Sequence, residues 1–195
     1  MRRSIEDHNV QPWRVHAFAA NFELLDVWRF PVQLRSEVPL LTFLDFLSEM
    51  QSELVRGRGM AAQLFRLRGW LGKLFGWDRD EEPVPERLGK GDRGDPGERS
   101  VAGFRPVYSE EEEALFEIEN QTVHALMHLG RVCVEDRDSP TAWAPQMAVY
   151  VKPRGFLGRV YMKVIGPFRH LIVYPAMMRA AERSWPQYAS RMGLV

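Results

Sequence analysis

The chain has 195 residues, of which 45% are hydrophobic and 27% are charged, and its 26 basic residues balance its 26 acidic residues. This size and composition predict one globular domain over residues 1–195, and a net charge of zero gives no electrostatic reason to expect nucleic-acid binding. The single cysteine, Cys133, excludes an internal disulfide and is typical of a reducing cytoplasm, which is the location we expect.

The sequence contains no signal for secretion or membrane insertion. Two arginines follow the first methionine, but no apolar stretch comes after them, and no run of 18 residues lacks a charged side chain. We therefore expect neither a secretory signal nor a transmembrane segment.

The first 75 residues predict helices more clearly than strands. Residues 1–11 are polar and expected to be loose, residues 13–18 alternate between apolar and polar and predict a short strand, and residues 22–32 favour a helical turn or a loop. Residues 40–50 and 60–75 place apolar side chains at helical spacing, which predicts one helix in each.

Residues 78–99 consist almost entirely of charged residues, glycine and proline. Such a segment buries too little apolar surface to offset the entropy lost on ordering, so it predicts a disordered loop. The alternative is an active-site flap, since long loops within a compact domain are uncommon unless they are functional or disordered.

The second half of the chain predicts strands followed by one long helix. The strands are expected at residues 104–108, 115–119, 122–134 and 143–151, with polar turns at 120–121 and 136–140. Consecutive strands joined by short turns predict an antiparallel meander.

The long helix is predicted over residues 156–182. Its apolar residues recur at steps of three and four and share one stripe, formed by Leu157, Val160, Tyr161, Val164, Ile165, Phe168, Leu171 and Ile172. Pro167 and Pro175 each remove a helical hydrogen bond and should kink it. The predicted fold class is therefore α+β, with a meander sheet wrapped around a long kinked C-terminal helix and two shorter helices early in the chain.

This order of elements resembles the helix-grip fold of the START and birch-pollen-allergen superfamily. The segment Gly158-Arg-Val-Tyr-Met-Lys-Val-Ile-Gly-Pro-Phe-Arg-His-Leu-Ile-Val173 is more specific, and it is similar to the C-terminal motif of a bacterial family of domains of unknown function, number 2867. The resemblance covers roughly residues 10–183. It implies an apolar cavity between the sheet and the last helix, and it implies no particular activity.

Three residues are candidates for proton transfer. His124 and His128 share one face of a predicted strand, but four residues along a strand span about 13 Å, so the two histidines cannot bind one metal ion and we expect no metal site. Glu117 shares a strand face with Glu119, and it becomes a candidate general base if that face points inward. We favour the outward orientation for both glutamates. For the two histidines, we favour an ordinary position on a partly exposed sheet face over a role in catalysis.

Five residues are candidates for binding a ligand. Arg131 lies among apolar residues and needs a negatively charged partner. This partner can be a carboxylate of the protein or a carboxylate of a ligand, and we favour the first alternative. Tyr150 and Tyr161 place hydroxyls on apolar surfaces, as polar anchors in a cavity do, although ordinary core tyrosines are the favoured alternative. Met127 and Ile165 are expected to line the apolar wall.

These observations predict a protein that binds a small hydrophobic molecule in its cavity without a metal or other cofactor. One alternative is a cofactor-independent cyclase or isomerase that acts on a hydrophobic metabolite in the same cavity. Another is an interaction module that partners an oxidoreductase, since related domains are fused to such enzymes. The oligomeric state and the identity of the ligand do not follow from the sequence.

Overall fold

The computed structural model describes residues 1–56, 101, 103–120, 122–134 and 142–194; the side chains of residues 53–56, 157 and 161 are not described. The predicted helix at 60–75, the predicted loop at 78–99 and the turn at 136–140 lie outside these residues. The same is true of the side chain of Tyr161.

Four consecutive strands separate the helices of the first half of the chain from those at its C-terminal end. In order, the described elements are helices α1 (Ile5–Asn9) and α2 (Val15–Phe18), strand β1 (Glu23–Arg29), helix α3 (Leu40–Arg56), strands β2 (Arg105–Ser109), β3 (Glu113–Glu119), β4 (Val123–Val134) and β5 (Ala142–Pro153), helix α4 (Gly155–Phe168), a π-helical turn (Arg169–Val173) and helix α5 (Tyr174–Arg191). Among the described residues, no helix is both long and apolar enough to cross a membrane.

The five strands form one antiparallel sheet in the order β1-β5-β4-β3-β2. Strands β2 to β5 follow one another as a meander, and β1 pairs with the outer edge of β5, with Glu23 opposite Val151. The predicted α+β class, the meander sheet, the short helices early in the chain and the long bent C-terminal helix are confirmed.

Strand β4 is covered on both faces, and its alternation sorts the core into two layers. The helix face, which carries Ala125, Met127 and Leu129, packs against α3 and α5. The N-terminal face, which carries Leu126 and His128, packs against residues of the first 22 positions. Successive side chains of a strand point to opposite faces, so every residue of β4 belongs to one layer only.

Two predictions in the first half of the chain are wrong. Residues 13–18 contain helix α2 rather than a strand, because Val15 and Ala19, one helical turn apart, both turn towards the sheet and are buried. Residues 22–32 contain strand β1 rather than a helical turn or a loop. This strand is covered on both faces, with Val27 in one layer and Trp28 in the other, so its sequence lacks the alternation that indicates a half-buried strand.

The first eleven residues differ from the loose terminus that their composition predicts. They include helix α1, which is capped by the Ser4 hydroxyl accepting a hydrogen bond from the Asp7 N–H. His8 is fully buried against the sheet, and Arg3 N–H donates to the Val27 carbonyl. One buried side chain and these backbone bonds hold a segment that is otherwise polar.

The C-terminal helix is bent, as its prolines predict, and it widens into the π-helical turn between Pro167 and the α5 segment that contains Pro175. Its deeply buried side chains belong to α5, whereas Val164 and Leu171 of the predicted apolar stripe are 72% and 76% exposed. The expectation that the rest of the chain covers this stripe is therefore wrong at these two positions. The π-helical turn adds a residue, which rotates the faces before and after it relative to each other.

The start of α4 packs closely on the turn before β4. A Cβ added at Gly158 would lie 2.2 Å from the Thr122 carbonyl oxygen, and Arg154 N–H donates to the same oxygen at 2.8 Å. Because the obstacle is backbone rather than a flexible side chain, the helix must move to accept even a methyl group.

We predict that Gly158→Ala lowers the free energy of unfolding by about 1–3 kcal/mol, the usual cost of inserting a methyl group into a packed contact. The control is Gly166→Ala in the same helix, where an added Cβ meets nothing within 4 Å. Alanine there should leave the stability unchanged or raise it by up to about 1 kcal/mol. Urea denaturation followed by circular dichroism measures both, and equal stabilities of the two variants would contradict the packing argument.

Candidate functional site

Among the described residues, most buried polar side chains belong to three clusters, of which two lie on the N-terminal face and one lies on the helix face. The first N-terminal cluster is centred on Glu113, which is 6% exposed. Its carboxylate accepts hydrogen bonds from Tyr108 Oη at 2.9 Å, from the Arg14 N–H at 2.7 Å and from His128 Nε2 at 2.8 Å. Burial alone would raise the pKa of Glu113, but these donors outweigh it and lower the pKa below its ordinary value.

His128 complements this carboxylate as a neutral ring. Burial lowers the pKa of His128, against the hydrogen bond and the negative charge of Glu113, which raise it. The neutral imidazole therefore donates through Nε2–H, and its Nδ1 is buried without a hydrogen-bond partner among the described residues. Trp13 closes the cluster, since a Cβ at Gly130 would lie 2.8 Å from the indole ring.

His8 extends the same cluster towards β5. Gln146 Nε2 donates to His8 Nδ1 at 3.2 Å, which leaves the proton on His8 Nε2 to be shared with Tyr150 Oη at 2.8 Å. Burial, with smaller contributions from His128 and His16, lowers the pKa of His8 from 6.5 to about 3. His8 is therefore neutral at physiological pH, and its hydrogen bonds to Gln146 and Tyr150 connect α1 to β5.

The second N-terminal cluster lies at the other end of the same face. His124 Nε2 is 2.7 Å from Glu117 Oε1, and His124 Nδ1 is 3.8 Å from Glu119 Oε1. The guanidinium of Arg154 pairs with Glu119. The expectation that Glu117 and Glu119 point outward is wrong: their side chains are 5% and 1% exposed and face inward with the histidines.

The third cluster, which we call the π-turn cluster, consists of Asp26, Trp28, Arg169, His170 and Tyr174 on the helix face. Asp26 on β1 is 1% exposed, and its carboxylate lies 2.9 Å from Arg169 Nη2 and 3.3 Å from Tyr174 Oη. His170 Nε2 lies 3.0 Å from the other oxygen, an ion-pair distance. Burial raises the pKa of Tyr174, so its hydroxyl stays protonated and donates to Asp26.

The π-helical turn is what brings these groups together. Its hydrogen bonds join residues five apart, as in the Tyr174 N–H bond to the Arg169 carbonyl, so these two side chains reach the same strand residue. The Trp28 ring lies 5.1 Å from the Tyr174 ring and 6.4 Å from that of His170. Single π-helical turns within α-helices occur often at functional sites, and this one carries a partly exposed histidine over a buried carboxylate.

The π-turn cluster contains several buried polar atoms without hydrogen-bond partners, as does the N-terminal face. Within the part of the chain that the structure describes, three buried atoms of the cluster have no partner: Trp28 Nε1, Arg169 Nε and His170 Nδ1. Asp26 Oδ1 makes no hydrogen bond but lies 3.0 Å from His170 Nε2 in the ion pair. Buried polar groups are normally satisfied, because each unsatisfied one costs about 1–3 kcal/mol. Several such atoms within one cluster indicate a place prepared to receive a polar partner.

The predicted site residues do not meet in one place. His124, His128, Glu117 and Tyr150 lie on the N-terminal face, whereas Met127 and Arg131 lie on the opposite face. The sheet therefore separates the three predicted catalytic residues from the space beside the C-terminal helix. Ile165 is half-buried on α4, one helical turn before Arg169.

Arg131 has a structural partner, the favoured of the two alternatives. Its guanidinium binds both carboxylate oxygens of Glu112, at 2.9 and 2.5 Å, and donates to the backbone carbonyls of Ser36 and Val38. It also lies 4.6 Å from the centre of the Trp143 ring. These contacts connect β4 to the segment before α3, so Arg131 has a structural role rather than a role in ligand binding.

Comparison with known families agrees with the element order and with the C-terminal motif. The profile of the DUF2867 family, described as a protein of unknown function, matches residues 18–176. The chain belongs to the DUF2867 family. No curated protein and no solved structure matches it. The matched region of this DUF2867 protein includes Asp26, Arg169 and Tyr174 of the π-turn cluster, while placement in the helix-grip superfamily stays a prediction.

Sequence reasoning missed the residues of the π-turn cluster, and it missed His8 and Glu113 on the opposite face. Asp26 and Arg169 are 143 residues apart, so no local pattern in this DUF2867 protein links them. One signal was present: Asp26 is the single charge inside an apolar run from Leu24 to Trp28, and such a charge needs a buried partner.

We predict that acid destabilises the protein through His8. A neutral buried histidine with a folded-state pKa of about 3 and an unfolded value near 6.5 contributes stability that is complete above pH 6.5 and is lost as the pH falls towards 3. The loss is at most about 1.4 kcal/mol per pH unit. Urea midpoints at pH 7, 6 and 5 should fall more steeply for the wild type than for His8→Gln.

The control for this experiment is His16→Gln, because His16 is only partly buried and contacts the same His8 ring. This variant should keep most of the wild-type slope, since burial is the larger cause of the lowered pKa of His8 and His16 a smaller one. Identical slopes for wild type and His8→Gln would show that His8 is not the titrating group.

Proposed function

We propose that this protein binds a small hydrophobic molecule that carries an oxygen-rich polar group, such as a carboxylate. The ligand lies between the sheet and the first part of the C-terminal helix, with its polar group at the π-turn cluster. The observation that carries the proposal is the set of three buried, unpartnered polar atoms at that cluster, beside the Asp26–His170 ion pair.

The chemistry of these atoms selects the polar group of the ligand. Trp28 Nε1 and Arg169 Nε are obligate donors, and Arg169 adds a positive charge that Asp26 offsets. Two N–H donors, one of which belongs to a guanidinium, suit a carboxylate or carbonyl oxygen, because such an oxygen accepts strong charge-assisted hydrogen bonds. Asp26 orients Arg169 and His170 and keeps the cluster from becoming strongly cationic.

The neighbouring surfaces suit an apolar body. Met162 packs against the core of the helix face, and Ile165 lies one turn before Arg169. The facing sheet wall is apolar, since Met127 and Val149 belong to the core of the helix face. Binding sites for small molecules combine such apolar walls with a few converging polar groups.

The Asp26–His170 pair favours a second candidate function, a cofactor-independent isomerase or cyclase acting on the same ligand class. A buried carboxylate 3.0 Å from an imidazole orients the ring, which is the arrangement of a general acid–base pair. In this enzyme His170, rather than His124 or His128, moves the proton.

The outer side of the C-terminal helix favours a third candidate, a protein-interaction module. Phe156, Val164 and Leu171 are each more than 70% exposed, and an exposed apolar row is a feature of interaction surfaces. A partner such as an oxidoreductase would contact this side, away from Asp26.

We predict that a long-chain fatty acid binds more tightly than its methyl ester, by about tenfold or more, because only the acid offers a carboxylate to Arg169. Displacement of a fluorescent probe measures both affinities. Arg169→Met should lower the affinity for the acid to that for the ester. Trp28→Phe should lower the affinity for the acid less, since this substitution removes a single donor.

The matched control is Arg159→Met, which removes an exposed arginine from the same helix. It should keep the preference for the acid, and circular dichroism verifies that each variant is folded. Equal affinity for acid and ester, or equal loss in the two arginine variants, would exclude the π-turn cluster as the ligand site. Turnover that is abolished by His170→Asn with binding retained would favour the enzyme.

A further inference from the structure

We propose that Glu117, Glu119 and His124 form a binding site for a divalent transition-metal ion, with zinc as the expected occupant. The site lies on the N-terminal face, so the sheet separates it from the π-turn cluster, and it is independent of the proposed ligand.

Strand register brings the three residues together. Glu119 on β3 stands directly opposite His124 on β4, and Glu117 is two residues earlier on the same face of β3. One ligand atom from each residue can be chosen so that all lie within 4.8 Å of one another. Ligand atoms bound at about 2.0–2.2 Å from a single zinc ion are this close, so small side-chain movements suffice to bind it.

A separate observation shows that the cluster is incomplete without a further partner. The Glu119 side chain is only 1% exposed, and its buried Oε2 has no hydrogen-bond partner within the described residues. Its other oxygen is held by Arg154. An unpaired buried carboxylate oxygen is costly, and a metal bond would satisfy it.

The charges of the surrounding residues allow a cation to bind. The two carboxylates and Arg154 together carry one negative charge, and the partly buried Lys152 stands opposite His124 on β5. The flexible stem of a lysine allows its charge to move away from a bound ion. Arg154 holds Glu119 from outside, as residues behind a metal ligand commonly do. A proton on His124 competes with the metal, so affinity should fall on acidification.

The donor set favours zinc or a similar ion over magnesium or calcium. One imidazole nitrogen and two carboxylate oxygens suit Zn²⁺, Co²⁺ and Mn²⁺, whereas Mg²⁺ and Ca²⁺ prefer oxygen ligands alone. Three protein ligands leave one tetrahedral position free for water or another group. All three ligands belong to strands β3 and β4, so the ion would join the two strands of this hairpin.

The first experiment titrates the metal-free protein with Co²⁺, whose visible absorption reports tetrahedral coordination, and with Zn²⁺ by calorimetry. We expect one ion per chain. His124→Gln and Glu119→Gln should each weaken binding by roughly 100-fold or more, and Arg154→Gln by about 10–100-fold, the usual effect of losing a residue behind a ligand.

The control is His16→Gln, which removes a partly buried histidine elsewhere on the same face and should leave the affinity unchanged. Absence of stoichiometric binding to the wild type, or binding unchanged in His124→Gln, overturns the proposal. If the variants do not fold, Co²⁺ broadening of imidazole NMR signals in the wild type decides. Broadening centred on His124 supports the site, and broadening centred on another histidine overturns it.

Discussion

Strand β4 has no face open to water, and this constraint decides which side chains of the protein can meet. Its first ten residues are buried, and alternation assigns each of them to one of two sealed layers. A pocket beside the C-terminal helix can include Met127 but cannot include His128. Because β3 and β5 pair with β4 over long stretches, they share the same division. Which side chains can form a common site is therefore decided by the layer to which they belong rather than by their proximity in sequence.

The polar clusters of the two layers differ in how far they are open to solvent. On the N-terminal face, the Glu113 carboxylate makes its hydrogen bonds to side chains and backbone inside the core, and Trp13 closes the network. This network is buried, although Trp13 Nε1, His128 Nδ1 and Gln146 Oε1 have no hydrogen-bond partner within the described residues. On the helix face the π-turn cluster is partly open, since the His170 side chain is 28% exposed. Exposure, rather than the number of unpartnered atoms, therefore distinguishes the π-turn cluster from the Glu113 network.

Much of the fold could be predicted, because local periodicity carries it. The alternation in β3 and β4, the helical spacing at the start of α3 and the two prolines of the C-terminal helix each indicate their element within a few residues. The N-terminal third was not predictable in this way, since β1 is buried on both faces and α2 has a single turn. The site residues depend on contacts across the sheet, and no local pattern tells which face of a strand is covered by which segment. Only once the register pairs Glu119 with His124, or the π-helical turn places Arg169 over Asp26, do these residues become a group.

The position of β1 at the outer edge of β5 has a consequence for how the chain assembles during synthesis. Strands β3, β4 and β5 form from neighbouring hairpins, but β1 must wait for residues 146–151 before it has a partner. At ribosomal rates of about 5–20 residues per second this delay is on the order of ten seconds. Over that time Val27 and Trp28 have no sheet to cover them, and the buried position of His8 does not yet exist. The N-terminal layer thus leaves the ribosome first but is completed only after β5 has followed, which makes the emerging chain a natural client for chaperones that protect apolar segments.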